Sequence, residues 1–168
     1  CLSPCAENEM TPNNICNMAM IKELDIIAVT DHNSTRQLRS VAKVAENIGL
    51  KMLYGVELES SEEVHVLGLF AGLEDAESLQ EWIDSVMPGI PNRPDYFGDQ
   101  LIMNENDEVI GKEDDLLIVS LQADLAECVE QIHQHGGKAV LAHVLDRANS
   151  VTNQLGFIPM DLNYDGLE

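Results

Sequence analysis

Short apolar runs that alternate with amphipathic stretches constrain the fold of this chain more than any other feature. Residues 26–29, 51–56, 64–70 and 139–142 are largely apolar and have the length of buried strands. Between the first two, residues 38–48 carry apolar side chains at helical spacing, and Gly49 follows as a common residue at a helix end. Strands buried on both faces are continuous apolar runs, so this order predicts an α/β fold with parallel strands and outer helices.

Weaker patterns complete the expected order of elements. Thr11 and Pro12 predict the start of a helix that extends to about Glu23. Further helices are expected over 75–86, 113–120 and 121–135, and the polar residues 104–107 between two apolar segments predict a small hairpin. The 168 residues have the size of one domain and no linker is visible, so a single domain over 1–168 is expected.

The charge balance limits the partners of the chain. Nine basic and 30 acidic residues give a formal net charge of −21, which repels a nucleic acid and an anionic membrane surface. No apolar run approaches the ~20 residues of a membrane span, and no signal peptide is visible. The four cysteines lack the spacing of a disulfide framework, so a cytoplasmic location is expected.

Polar residues that can bind metals follow several of the predicted strands. Asp31 and His32 follow the first strand, Glu57 follows the second, and His143 follows the last. Because the carboxyl ends of parallel strands meet at one face, these side chains are expected to converge there as a metal site. Each residue alone also has an ordinary explanation: Asp31 could cap the next helix, and a single histidine could be a structural residue.

Histidines and glutamates elsewhere need separate interpretations. His65 interrupts an apolar run, and a buried imidazole there needs a partner such as a metal. His133 and His135 lie at a predicted helix C-terminus and are interpreted as structural. Glu59, together with the acidic pair at positions 62 and 63, is interpreted as part of a solvated acidic turn.

Several of these segments together resemble one family. Their sequences resemble the PHP (polymerase and histidinol phosphatase) domain in Cys1-Leu2-Ser3-Pro4-Cys5, Met10-Thr11-Pro12-Asn13-Asn14, Asp25-Ile26-Ile27-Ala28-Val29-Thr30-Asp31-His32-Asn33, Gly55-Val56-Glu57, Glu63-Val64-His65-Val66-Leu67-Gly68-Leu69-Phe70, Ala142-His143 and Leu155-Gly156-Phe157-Ile158-Pro159. The resemblance implies a distorted (β/α)7 barrel, incomplete here, with two or three divalent metal ions (zinc, manganese or iron) at the strand ends. It also implies hydrolysis of phosphate esters through a metal-bound hydroxide.

The resemblance assigns a role to each matching residue. Glu57 matches a carboxylate that bridges two metals, and His65 and His143 match ligands of the second metal. His32 matches a ligand of the third metal, and Cys5 lies where some relatives carry another ligand of that ion. Asp31 matches an aspartate that orients the site, so that Asp31, His32 and Glu57 form the expected catalytic group.

The chain also departs from the family pattern. The His-x-His pair expected before Cys1 and the Asp-x-His pair expected after Glu168 are absent from the sequence. A fragment truncated at both ends, and nearly inactive on its own, is therefore expected. The leading hypothesis is a metal-dependent hydrolase of a small phosphate ester. The alternatives are a non-catalytic metal-binding or interaction module and a polymerase-associated, nuclease-like PHP domain.

Overall fold

A five-stranded mixed sheet forms the centre of the molecule. The computed structural model describes residues 2, 4, 5, 7 and 9–168. Its strands are β1 (Ile26–His32), β2 (Lys51–Glu59), β3 (His65–Phe70), β4 (Leu101–Met103), β5 (Val109–Lys112), β6 (Lys138–Leu141) and β7 (Gly166–Leu167). Its helices are α1 (Pro12–Ile21), α2 (Leu38–Ile48), α3 (Leu73–Ser78), α4 (Gln80–Val86), α5 (Pro94–Phe97), α6 (Leu125–Gln134) and α7 (Val151–Gln154). The order in the sheet is β1-β2-β3-β6-β7, and β4 and β5 form a separate hairpin.

The prediction that all strands are parallel is wrong for β3. The pairs β1·β2 and β6·β7 are parallel, but β3 is antiparallel to both of its neighbours, β2 and β6. Only residues 60–64 connect β2 to β3, and so short a connection permits a hairpin but not the crossover that parallel neighbours require. Within the described residues the sheet is open, with β1 and β7 at its edges, so the expected barrel is not confirmed.

Helices whose ends carry strong sequence signals lie where the sequence predicts them. Thr11 caps α1 by accepting a hydrogen bond from the Asn14 amide, and Gly49 ends α2 with a φ of 74°. Helix α6 starts later than predicted, because Asp124 is its N-cap and accepts a hydrogen bond from the Glu127 amide. The predicted hairpin is present as β4 and β5.

The helix predicted over 113–120 is wrong. This segment is irregular, and its backbone groups bind side chains from outside the segment. The buried Gln100 side chain accepts a hydrogen bond from the Leu117 amide and donates to the carbonyls of Glu113 and Asp115. Asn33 donates to the carbonyls of Leu117 and Val119. These bonds satisfy groups that a helix would pair internally.

The hydrophobic core lies between the sheet and the helices α2, α3, α4 and α6. Val56, Val66 and Leu141 are fully buried on the strands, and Val41 and Ile132 are fully buried on α2 and α6. This packing holds the strand ends in fixed positions. In the part of the chain that the structure describes, none of the helices has both the length and the apolar character needed to cross a membrane.

Candidate metal centre

Four strands bring the predicted site residues to the same end of the sheet. His32 ends β1, and the parallel register places it opposite Glu57 near the end of β2. His65 begins β3 and pairs with Glu59. Because β3 runs antiparallel, its first residue lies at the end of the sheet where β1 and β2 finish. His143 follows β6 at the same end of the sheet. The reversed strand therefore supplies a ligand from its start, where the parallel strands supply theirs from their ends.

Three atoms that could bind a metal, Glu57 Oε1, His65 Nδ1 and His143 Nε2, form a compact triangle at this end of the sheet. The Oε1 atom of Glu57 lies 2.8 Å from His65 Nδ1 and 3.5 Å from His143 Nε2, and the two nitrogens are 3.1 Å apart. Zinc bonds of about 2.0–2.1 Å at tetrahedral angles separate two ligand atoms by about 3.3 Å. The triangle therefore has the size of one face of a zinc coordination tetrahedron.

The second carboxylate oxygen of Glu57 lies near another histidine, in a group that shares Glu57 and His65 with the triangle. Glu57 Oε2 lies 3.7 Å from His32 Nε2. His32, Glu57 and His65 each offer a ligand atom, and these three atoms lie within 4.8 Å of one another. The His65 ring is 5.1 Å from the rings of both His32 and His143. The two oxygens of one carboxylate thus face different imidazoles, which is the arrangement of a carboxylate that can bridge two cations.

The polar atoms of the triangle do not form a closed hydrogen-bond network. Among the described residues, the buried His143 Nδ1 has no hydrogen-bond partner, and the buried His65 Nε2 lies 3.5 Å from Glu59 Oε2, at the limit of a hydrogen bond. At the same time, Glu57 Oε1 and His143 Nε2 both lie within hydrogen-bond distance of one nitrogen, His65 Nδ1. A single ring nitrogen carries at most one proton, so it cannot donate to both atoms. A divalent cation bound by all three atoms fits this donor set.

The titration of the cluster indicates that it favours positive charge. Burial alone would lower the pKa of His65, but hydrogen bonds and charge from Glu57 and Glu59 raise it to about 9. Burial would likewise raise the pKa of Glu57, but His65 and the other imidazoles lower it. The field that holds a proton on His65 equally attracts a metal cation, which then competes with that proton.

The backbone at His143 is held in an uncommon conformation. His143 has a φ of 33°, in the left-handed region that non-glycine residues rarely adopt. Its amide donates to the Glu168 carboxylate over 3.1 Å, and the Val144 amide donates to the Glu168 carbonyl over 3.0 Å. Such backbone strain persists only where surrounding contacts hold it, and it is concentrated at functional sites.

Asp31 and Cys5 lie outside the triangle. Asp31 is buried, and its Oδ1 accepts a hydrogen bond from the Leu2 amide over 2.8 Å. It does not cap the next helix, because Gln37 is the N-cap of α2. Cys5 is a free thiol at the surface, and its partial desolvation, together with the negative charges of Glu57 and Glu59, raises its pKa. A raised pKa disfavours the thiolate that binds metals, so a ligand role for Cys5 stays a prediction.

Glu59 is the site residue that sequence reasoning missed. The expectation of a solvated acidic turn is wrong for Glu59 and Glu62. Glu59 is only 13% exposed; its Oε1 accepts a hydrogen bond from Ser120 Oγ over 2.7 Å, and its Oε2 lies 3.5 Å from His65 Nε2. Glu62 accepts a hydrogen bond from the Leu125 amide at the start of α6. The two-residue period of a strand could have identified Glu59, because residues 57 and 59 of β2 share one face.

The two remaining histidines lie at the other end of β6. His133 Nε2 is 2.7 Å from Asp165 Oδ2, and His135 Nδ1 is 2.6 Å from Ser78 Oγ. Neither belongs to the triangle. Their position at the C-terminal end of α6 is the one expected for structural histidines.

Comparisons with known proteins give partial matches. No family model matches the chain. A 5'-3' exoribonuclease from Haemophilus influenzae is 22% identical over an alignment of 184 positions, which covers 86% of this chain and 67% of the relative. A 3',5'-nucleoside bisphosphate phosphatase from Chromobacterium violaceum is 30% identical over 100 positions, which covers 57% of this chain and 34% of the relative. The chain thus spans between a third and two thirds of the length of these two relatives.

Solved structures share the fold. A lesion-specific endonuclease from Pyrococcus furiosus matches with a TM-score of 0.67 at 17% identity, covering 99% of this chain and 38% of that one. A protein from Bifidobacterium adolescentis, named a metal-dependent phosphoesterase, matches with a TM-score of 0.59 at 19% identity, covering 94% and 71%. At this level of identity the likeness concerns the fold alone.

Proposed function

We propose that this chain carries part of the active site of a PHP-type, metal-dependent phosphoesterase that hydrolyses a small phosphate ester. The observation that carries the proposal is the triangle of Glu57 Oε1, His65 Nδ1 and His143 Nε2, with sides of 2.8, 3.1 and 3.5 Å. The names of the bisphosphate phosphatase and of the phosphoesterase with the same fold support this class of reaction.

Each side chain has a defined task in this proposal. Glu57 would be a shared ligand of two cations, with His65 and His143 as further ligands of one ion and His32 as a ligand of the other. A bound divalent cation (zinc, manganese or iron) lowers the pKa of its water and polarises a phosphoryl oxygen. Asp31, which is buried on β1, would orient the site, and Cys5 would be a further ligand of the ion bound by His32.

The charge of the chain supports a small substrate over a polymer. A net charge of −21 repels a polyanion over the Debye length of ~8–10 Å, whereas a small ester needs only the local field of the cations. We propose that the substrate is a small phosphorylated molecule in the cytoplasm. The second candidate, a nuclease, is favoured by the exoribonuclease and the endonuclease among the similar proteins.

Hydrolysis assays with matched variants test the proposal. The polypeptide of the whole reading frame, with this 168-residue chain beside it, is assayed on p-nitrophenyl phosphate, a nucleoside 3',5'-bisphosphate and single-stranded DNA and RNA with added Mn²⁺ or Zn²⁺. The polypeptide of the whole reading frame is expected to hydrolyse the small esters in an EDTA-sensitive reaction, which Glu57→Gln abolishes and His133→Gln leaves unchanged. The 168-residue chain is expected to be nearly inactive. Faster cleavage of DNA or RNA would favour the nuclease, and metal binding without turnover of any substrate would favour the non-catalytic module.

A further inference from the structure

The two ring nitrogens of His65 face different surroundings. Nδ1 points into the triangle, at 2.8 Å from Glu57 and 3.1 Å from His143. Nε2 points away from the triangle and lies 3.5 Å from Glu59 Oε2. A neutral imidazole can bind a cation only through the nitrogen that carries no proton. If His65 binds through Nδ1, its proton must therefore be on Nε2, beside Glu59.

The Glu59 carboxylate is itself fixed in place. Ser120 Oγ donates a hydrogen bond to Glu59 Oε1 over 2.7 Å, which leaves Oε2 free to face His65. The Glu59 amide donates to Asn33 Oδ1, and the Glu59 carbonyl accepts from the Leu121 amide. Side chain and backbone are thus anchored by two segments of the chain, one at Asn33 and one at residues 120–121, so the carboxylate is positioned independently of His65.

We propose that Glu59 is a positioning residue for His65: its carboxylate accepts the Nε2 proton and keeps the Nδ1 lone pair directed at the cation. This inference rests on the proposed function, because it requires that His65 binds a metal. A carboxylate that accepts the second N–H of a metal-bound histidine fixes the ring and increases the basicity of the ligating nitrogen. The separation of 3.5 Å agrees with such a role, since hydrogen bonds in sites without their ligands are often long.

The other imidazole of the triangle provides an internal contrast. His143 Nδ1 is buried and has no hydrogen-bond partner among the described residues. His143 is held through its backbone by Glu168, whereas His65 faces a carboxylate with its outer nitrogen. Glu59 therefore acts on one ligand of the triangle and not on the other, so the effect of removing its charge is expected at His65.

Zinc binding to the 168-residue chain tests the proposal without an activity assay. Glu59→Gln keeps the volume of the side chain but removes its charge, and Glu63→Gln is the matched control at an exposed position of the same acidic run. Competition with a chelating dye should give a zinc affinity about 10–100-fold weaker for Glu59→Gln and unchanged for Glu63→Gln. Ser120→Ala keeps the carboxylate but removes its anchor, so its affinity should lie between these two.

A spectroscopic measurement separates positioning from a general structural effect. In zinc-loaded protein labelled with ¹⁵N-histidine, the wild type should show His65 bound through Nδ1, with a proton on Nε2 shifted downfield by the carboxylate. That proton should move upfield in Glu59→Gln, while the His143 signals stay in place. Zinc binding through Nε2, or equal affinities of Glu59→Gln and Glu63→Gln, would overturn the positioning role alone. A wild type that binds no zinc would overturn the proposed function together with it.

Discussion

Two clusters of histidine and carboxylate lie at opposite ends of β6, and they differ in how completely their polar atoms are paired. In the Asp165 cluster, the carboxylate of Asp165 accepts hydrogen bonds from His133 Nε2, Lys138 Nζ and the Ala139 amide, at 2.7–2.9 Å. In the Glu57 cluster, two ring nitrogens converge on one carboxylate oxygen. Of the two outer ring nitrogens, His143 Nδ1 has no hydrogen-bond partner among the described residues, and His65 Nε2 has a long contact of 3.5 Å with Glu59 Oε2.

The comparison shows that residue types alone do not distinguish a structural cluster from a site. Both clusters combine imidazole and carboxylate groups, but in the Asp165 cluster each carboxylate oxygen accepts a hydrogen bond from a definite donor. Burial would raise the pKa of Asp165, yet Lys138, His133 and the Ala139 amide lower it to about 2. In the Glu57 cluster, Glu57 Oε1 and His143 Nε2 instead both lie within hydrogen-bond distance of His65 Nδ1, which has at most one proton to donate, and a divalent cation could bind all three atoms.

The stabilisation by zinc should differ most between variants of the two clusters. At a zinc concentration 1,000 times the dissociation constant, binding to the folded state stabilises it by about 4 kcal/mol. We expect Asp165→Asn to keep this gain and Glu57→Gln to lose most of it, as measured by urea denaturation with zinc and with EDTA. An equal gain in both variants would show that zinc binds elsewhere and would remove the distinction between the clusters.

The alkaline pH dependence of the metal-free protein should report on the Glu57 cluster. The pKa of His65 is raised from 6.5 to about 9, so its contribution to stability is complete below pH 6.5 and is lost as the pH rises through about 9. The upper limit of the loss is about 3–4 kcal/mol, from 1.36 kcal/mol per pKa unit. Urea denaturation in EDTA between pH 6 and 10 measures it, and His65→Gln should flatten the curve while His133→Gln should not.

The acid pH dependence should report on the Asp165 cluster, with a smaller amplitude. The pKa of Asp165 is lowered from 3.8 to about 2, so its contribution is present above pH 3.8 and is lost as the pH falls through about 2. Since this carboxylate is partly exposed, the effect should stay within about 1 kcal/mol. Asp165→Asn should reduce the slope of stability between pH 4 and 2, whereas Asp161→Asn, an exposed position nearby, should leave it unchanged. A larger effect of Asp161→Asn would contradict the assignment.

The parts of the fold that the sequence predicts correctly are those set by local signals. The apolar run of β1 and the periodicity of α2 with its terminal Gly49 need no distant partner to be recognised. The irregular segment 113–120 could not be predicted in this way, because the distant side chains of Gln100 and Asn33 bind its backbone. The direction of β3 was predictable in principle, since the short connection 60–64 is visible in the sequence.

The candidate site also has features that local sequence signals predict and features that they do not. Strand ends and a family resemblance predict His32, Glu57, His65 and His143 as site residues, because these residues occupy recognisable motifs. The distances among them depend on the register of β1, β2, β3 and β6, which no local pattern specifies. Glu59 was missed because it lies near acidic residues that are typical of solvated turns, although the two-residue period of β2 places it on the same face as Glu57. Its low exposure and its contact with Ser120 show that it is buried.

The β2–β3 hairpin has a consequence for the order of folding. Glu57 and His65 are separated by 8 residues along the chain, whereas His65 and His143 are separated by 78. The entropy of closing the longer loop costs about 2 kcal/mol more than that of the shorter one. Hairpins of this kind form within about 1–10 μs, so the first two ligands can meet long before β6 docks. A metal ion present during refolding can therefore bind Glu57 and His65 on the local hairpin first. His143 joins them as a ligand only when the long-range pairing of β3 and β6 has formed.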